Sequence, residues 1–119
     1  MSYKISGTTI DLTRGDSFWS LITMTRKRDG TPYIPEEGDS LRFVVKHNAM
    51  DAGRKKYLNV KPLIEKAIPT DTLILYLNPT DTKGLSFGQY VYDIELTFSD
   101  GNVDTFINNA ILNVVPEVD

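Results

Sequence analysis

The chain has 119 residues, of which 40% are hydrophobic and 24% are charged, and it contains no cysteine. Without cysteine, disulfides, thiolate nucleophiles and thiolate metal sites are excluded, so the stability of the fold must come from packing. The 13 basic and 16 acidic side chains give a net charge of −3, which provides no general attraction to phosphate backbones or anionic lipid.

The first part of the chain contains two predicted strands. Thr8 to Leu12 is the first, and Phe18 to Thr25, rich in aromatic and β-branched residues, is the second. An Asp29-Gly30 pair then predicts a turn. The segment that follows, Pro32 to Ile34, is predicted to be a short edge piece because proline cannot donate a ladder hydrogen bond.

The register of the second predicted strand stays open. One inward face would carry Phe18, Ile22 and Met24, whereas the other would carry Trp19 and Leu21. Both faces are apolar, so a period of two selects neither of them.

Alternating patterns mark the middle of the chain. Residues 41–46 and 73–78 have apolar side chains at every second position, which is typical of half-buried strands. The apolar positions are Leu41, Phe43, Val45, Leu73, Leu75 and Leu77. Leu63 to Ile68 predicts a short strand ended by proline, and the polar stretch Asn48 to Tyr57 predicts a mobile loop.

The last third contains the clearest strand signal. Asn78 to Gly84 has a capping residue, an early proline and a terminal glycine, which predict a single helical turn. Gln89 to Phe98 alternates almost strictly. The Asp100-Gly101 pair predicts a tight hairpin with positive φ. The hairpin leads into Val103 to Val115, where apolar residues on both faces indicate a bulge or a strand covered on both sides.

These segments add up to about seven strands separated by turn signals, as in a sandwich or barrel. No linker, internal repeat or low-complexity tract interrupts them, so residues 1–119 are predicted to form one domain. Leu85, Gly88 and Tyr90 precede or open the best strand, where immunoglobulin-like sandwiches use a tyrosine hydroxyl to bind upstream backbone. We therefore predict an all-β, immunoglobulin-like sandwich of antiparallel strands with Tyr90 at this corner. The alternative is that Tyr90 is an ordinary core residue.

Longer motifs in the same regions suggest a family. The stretch 79–105 carries Pro79, Asp81, Thr82, Leu85, Gly88, Tyr90, Tyr92, Asp93, Ile94, Leu96, Thr97, Asp100, Gly101, Val103 and Thr105, and the chain ends near Glu117-Val118. This pattern resembles small immunoglobulin-like virion proteins of tailed phages and prophages. Residues 14–18 (Arg-Gly-Asp-Ser-Phe) and 29–33 (Asp-Gly-Thr-Pro-Tyr) resemble the opening hairpin of that group and of the N-terminal domain of siphophage upper-baseplate proteins.

The resemblance implies a non-enzymatic structural or assembly protein of the tail, baseplate or head. Its partners would be other virion proteins and further copies of itself, with no nucleic acid or membrane. The polar segment Met1 to Ile10 lacks the basic and apolar regions of a signal peptide, so we expect synthesis in the bacterial cytoplasm before assembly. Thr8 to Leu12 and Pro32 to Ile34 are the predicted sheet edges available for strand addition.

Four features invite a chemical role, and each has a simpler explanation. His47 is the only histidine and ends a predicted strand. Asp100 to Asp104 is rich in oxygen ligands but lacks the frame of an EF-hand. Asp93 and Glu95 share a polar strand face, and Arg14-Gly15-Asp16 matches the integrin-binding tripeptide but also fits a turn. We therefore expect no catalytic residue, metal site or cofactor.

One alternative function remains. The chain could be a carbohydrate- or ligand-binding module that acts in adhesion, with Trp19 or exposed tyrosines as stacking platforms. The basic clusters Arg26-Lys27-Arg28 and Arg54-Lys55-Lys56 are expected to be solvated loop charges, because only Tyr57 is adjacent to stack on a base.

Overall fold

The computed structural model of the chain describes residues 3–6, 9–25, 29–47 and 62–116. Strands make up 56% of these residues, and there is one short helix. In chain order the elements are β1 (Tyr3–Ser6), β2 (Thr9–Thr13), β3 (Phe18–Leu21), β4 (Ser40–His47), β5 (Ile64–Ile68), β6 (Ile74–Leu77), α1 (Pro79–Thr82), β7 (Gly88–Thr97) and β8 (Val103–Val115). The protein is therefore mostly β, as the alternating patterns predict.

The strands form two sheets of unequal size. The large sheet is curled and has the order β1-β2-β8-β7-β4-β5, whereas the small sheet consists only of β3 and β6. All neighbours are antiparallel except β2 and β8, which run parallel. The prediction of an entirely antiparallel arrangement is therefore wrong for this one pair.

One apolar core lies between the inner faces of the two sheets. Its most deeply buried members come from both sheets: Leu12, Phe18, Phe43, Val45, Leu75, Leu77, Ile94 and Leu112. The predicted alternation of β4 and β7 is confirmed on this side, where every second residue is buried. In β6 the predicted inward positions Leu75 and Leu77 are buried, but the strand begins at Ile74, because Leu73 has φ +57° and precedes it.

The N-terminal edge differs from the prediction. The strand expected at Thr8 to Leu12 is β2, but β1 pairs with its outer side, so it is not a sheet edge. Strand β1 was not predicted, because a four-residue strand with two polar positions has almost no periodic signal. The other predicted edge, Pro32 to Ile34, makes only an isolated bridge between Pro32 and Thr25.

Strand β7, in the interior of the large sheet, is buried on both of its faces. Val91 and Asp93 lie on the face predicted to be polar, yet each is only 7% exposed. Opposite them, β8 contains extra residues that shift its register between Tyr92 and Glu95. The bulge predicted in β8 is therefore present, and Asn109 within it has φ +53°.

The predicted loop at Asn48 to Tyr57 and both basic clusters lie outside the described residues. Across the parts of the chain that the structure describes, no helix is long and apolar enough to cross a membrane. The helical turn predicted after Asn78 is α1, where Asp81 accepts a hydrogen bond from the Asn78 backbone N–H at 2.7 Å.

Candidate interaction surface on the small sheet

The outer face of the small sheet is apolar. Antiparallel pairing sets Trp19 opposite Tyr76 and Leu21 opposite Ile74. These four side chains form what we call the Trp19 patch, and they are 54%, 44%, 58% and 37% exposed, respectively. The alternative register left open by the sequence is thereby decided, since Phe18 is buried and Trp19 faces outward.

Among the described residues, no strand pairs with the edge of β3 that faces away from β6. The Ile22 N–H donates to the Leu73 carbonyl at 2.8 Å, which shows that even-numbered residues of this segment face β6. Because backbone groups alternate in direction along a strand, those of Trp19 and Leu21 face away from β6. Thr23 lies two residues beyond the end of β3, and the same alternation continued past the strand gives it the same direction. Within the described ranges, no backbone hydrogen bond reaches the N–H of any of these three residues.

A cleft opens between the two sheets beside this edge. Its volume is about 170 Å³, and the described residues that line it are uncharged, with both apolar and hydroxyl-bearing side chains: Ile10, Phe18, Ser20, Leu21, Ile22, Thr23, Leu75, Tyr92 and Ile94. Burial raises the pKa of Tyr92 from its ordinary value of 10 to about 12. This edge cleft therefore fits an uncharged side chain better than a charged group.

The predicted corner residues lie together at the start of β7. The Tyr90 hydroxyl donates a hydrogen bond of 2.8 Å to the Ser86 carbonyl, four residues upstream. Leu85 is 8% exposed and belongs to the core, and Gly88 has φ +143°, a conformation open mainly to glycine. His47 lies beside the corner, with its ring centroid 5.8 Å from that of Tyr90.

The Arg14-Gly15-Asp16 segment is held against the same corner. The Arg14 guanidinium lies 4.2 Å from the ring centroid of Phe87 and donates to the Leu85 carbonyl at 3.3 Å. The Gly15 N–H donates to the buried Thr82 hydroxyl at 3.2 Å. These contacts give the tripeptide a structural role in the turn between β2 and β3.

The two carboxylates that share a face of β7 are both engaged. Asp93 accepts hydrogen bonds from Lys46 Nζ and from the Asn109 N–H, each at 2.7 Å. Glu95 accepts two from Arg42, at 2.6 and 3.1 Å. Neither acid is positioned to act as a free general acid or base.

The two Asp-Gly turns use their acidic side chains internally. Asp29 accepts hydrogen bonds from the Thr31 N–H at 3.0 Å and the Thr31 hydroxyl at 2.6 Å. Asp100 accepts from the Asn102 N–H at 2.9 Å, while Gly30 and Gly101 have φ +73° and +93°. In the described portion of the chain, no three His, Cys, Asp or Glu side chains are grouped to hold a metal ion.

The Trp19 patch is the feature that sequence reasoning left unresolved. Segment Phe18 to Thr25 carries bulky apolar residues at both odd- and even-numbered positions. Ser20, on the inner face, is small and polar, so it did not indicate which face is buried. Comparison with protein-family models, curated proteins and solved structures gives no match. The Trp19 patch, the free edge of β3 and the edge cleft are therefore the features that indicate a function.

Proposed function

We propose that the chain is a non-enzymatic structural or assembly protein of a tailed-phage or prophage particle, acting through protein–protein contacts. The observation that carries this proposal is the Trp19 patch beside an unpaired strand edge. Contiguous apolar patches at a surface are typical of interaction sites, and tryptophan and tyrosine are enriched in interfaces. The resemblance to virion proteins of tailed phages is the reason for proposing a phage particle as the place of these contacts.

The strand order supports an immunoglobulin-like sandwich as the fold behind this function. The variable-type sandwich has strands C, F and G with C′ on one sheet, and A, B, E and D on the other. The run β8-β7-β4-β5 corresponds to G-F-C-C′, and the pair β3-β6 corresponds to B-E. The hydrogen bond from Tyr90 to Ser86 corresponds to the corner tyrosine of this class.

A structural role also agrees with the polar chemistry of the large sheet. Asp93 and Glu95 are neutralised by cross-strand cations, so the most polar strand face presents ion pairs rather than a convergent reactive site. The described residues that line the edge cleft carry no charge either.

The proposal is tested by purifying particles after induction of the prophage that carries the gene. Fractions of a density gradient are then searched for this chain by mass spectrometry. We expect it to co-sediment with capsid and tail proteins. Its presence only in the soluble lysate, with none in intact particles, would overturn the virion role.

One observation favours a second candidate, a carbohydrate-binding module used in adhesion. Trp19 and Tyr76 are adjacent exposed aromatic rings, the kind of platform on which a sugar ring can stack. Trp19 is the only tryptophan, so its fluorescence reports on the patch alone. A saturable change on titration with oligosaccharides would support this candidate, and an unchanged spectrum across a glycan panel would remove it.

A further inference from the structure

We propose that the free edge of β3 pairs with β3 of a second copy of this chain. The two strands run antiparallel about a twofold axis that passes through Leu21. The pairing joins the two small sheets into one four-stranded sheet, in the order β6-β3-β3-β6. This inference rests on the proposed role in protein–protein contacts and names the partner at that surface.

The immunoglobulin-like strand order identifies the empty position. In the A-B-E-D sheet of that class, strand B has a neighbour on the side away from E. Here β1 extends the large sheet instead, and β3 has β6 as its only strand partner among the described residues. The unpaired edge is therefore a place for one further strand.

Free edges of monomeric proteins are usually protected by charged residues, proline or bulges. Residues 18–25 have the sequence Phe-Trp-Ser-Leu-Ile-Thr-Met-Thr, which contains neither a charge nor a proline. An edge of this composition is suited to pairing, and it carries no charge that would repel a second copy.

The direction of the backbone groups fixes the register. With the axis at Leu21, Trp19 faces Thr23 of the second copy, Leu21 faces its own equivalent, and Thr23 faces Trp19. Each facing pair of this type exchanges two backbone hydrogen bonds, which gives about six in total. With the axis at any other residue, at least one of these three residues no longer faces another of the three.

The side chains fit the same register on both faces. On the inner face, the small Ser20 faces the larger Ile22 of the second copy, and both line the edge cleft. The cleft has about 170 Å³, and an apolar cavity of about 150 Å³ can hold a molecule of the size of benzene, so one branched side chain fits. On the outer face, the pairing covers part of Leu21 and Trp19, which are 58% and 54% exposed in the single copy.

Disulfide trapping tests the axis directly, because the chain contains no cysteine. In the proposed pair, the two Leu21 Cα atoms lie about 5.5 Å apart, within the range that a disulfide spans. Leu21→Cys should therefore form a covalent dimer under mild oxidation. The matched control is Ile74→Cys, on the same face and opposite Leu21 but on β6.

The control positions are too far apart to be bridged. Two Ile74 residues would be separated by three strand spacings, about 14 Å, which exceeds the limit of about 7 Å for a disulfide. Thr23→Cys tests the register, since two Thr23 residues would be about 13 Å apart along the strands. We expect cross-linking of Leu21→Cys to be at least about tenfold faster than that of either control, because pairing raises the effective concentration.

The native chain gives an independent readout by light scattering after size exclusion. Its mass should rise with concentration from 13.4 kDa toward twice that value, whereas Leu21→Lys, which places two like charges on the axis, should stay monomeric. The inference is overturned if wild type is monomeric throughout and Leu21→Cys reacts no faster than the controls. It is also overturned if Thr23→Cys reacts fastest.

Failure of the pairing and failure of the particle role are distinguishable. If wild type stays monomeric in solution but Leu21→Lys is lost from purified particles, the edge binds a strand of another virion protein and self-pairing is wrong. If wild type pairs in solution but is absent from particles, self-pairing stands and the virion role is wrong.

Discussion

Tyr90 combines a buried ring with a hydroxyl that binds backbone across the corner before β7. The side chain is 6% exposed, and its hydroxyl lies 2.8 Å from the Ser86 carbonyl. We expect Tyr90→Phe to lower the free energy of unfolding by about 0.5–1.5 kcal/mol, the usual net contribution of one hydrogen bond. Urea denaturation with an unchanged slope would measure the loss.

The control for Tyr90 is Tyr76, which is 44% exposed and makes only a 3.5 Å contact with the Ser17 hydroxyl. Tyr76→Phe should therefore leave the urea midpoint almost unchanged. Equal effects of the two substitutions would show that the corner bond adds nothing beyond the ring.

Asp39 gives the protein a defined response to acid. The Tyr33 hydroxyl donates to its carboxylate at 2.5 Å and the Glu36 N–H at 2.9 Å, and these bonds hold the pKa of Asp39 below its ordinary value of 3.8. A carboxylate with a lowered folded pKa stabilises the fold above the unfolded pKa. That contribution is lost as the pH falls through the folded pKa.

We therefore expect Asp39→Asn to be less stable than wild type at neutral pH, with the difference closing as the pH falls below 3.8. Tyr33→Phe should behave in the same way, because it removes the largest cause of the shift. Urea midpoints measured at a series of pH values would show this convergence. A difference that stays constant with pH would contradict the assignment.

At the scale of elements, Asp93 secures the bulge in β8. One carboxylate oxygen accepts from the Asn109 N–H and the other from Lys46 Nζ, and the residue is 7% exposed. Because hydrogen bonds to a charged group contribute roughly 1.5–3 kcal/mol each, Asp93→Ala should destabilise the fold by about 3 kcal/mol.

Glu95 is the matched control on the same face of β7. Its ion pair with Arg42 joins side chains that are 23% and 50% exposed, and such surface pairs contribute about 0–1 kcal/mol. Glu95→Ala should therefore cost much less than Asp93→Ala in chemical denaturation. A larger loss for Glu95→Ala would show that the bulge does not depend on Asp93.

The turn between β7 and β8 depends on the backbone conformation of Gly101. Its N–H donates to the Phe98 carbonyl at 2.9 Å, and its φ of +93° follows a residue of negative φ. A β-branched residue resists this conformation, so Gly101→Val should cost roughly 1–3 kcal/mol. Gly101→Asn should retain most of the stability, because asparagine tolerates positive φ. Equal melting temperatures for the two variants would contradict this turn geometry.

The sequence predicted those elements whose two faces differ. Leu41, Phe43 and Val45 alternate with positions of which two, Arg42 and Lys46, are charged, so the inner face of β4 was evident. In β3 both faces are apolar, and only the packing of the small sheet on the core, where Phe18 is buried, decides that Trp19 faces outward. The free edge of β3 could not be predicted either, because it exists only if β1 joins the large sheet instead of pairing with β3.

The parallel pairing of β2 with β8 shows the same limit at longer range. Ile10 pairs with Leu112, which lies near the other end of the sequence. Nothing local in either segment indicates this partner. Alternation fixes which side of a strand is buried, but not which strand lies next to it. The candidate surface depends both on which face of β3 is buried and on which strands lie beside it. For this reason only Trp19 could be named from the sequence.

At the scale of the whole molecule, the two sheets should differ in local stability. Strand β7 is ten residues long and pairs on both sides, with β4 and β8. Strand β3 has four residues, and the described part of the chain gives it one strand partner, β6. Because local opening is easiest where few contacts and hydrogen bonds must break, the small sheet should open before the centre of the large sheet.

Amide hydrogen exchange of the dilute monomer would measure this difference residue by residue. We expect the slowest exchange in the middle of β7, at Tyr92 and Ile94, and faster exchange throughout β3. Within β3 the Ser20 N–H faces β6 and should exchange more slowly than the Trp19 and Leu21 N–H groups at the free edge. If Leu21 is protected as strongly as Ser20 at the lowest protein concentration, another part of the chain covers the edge in the monomer, and the edge is not free to bind a partner strand.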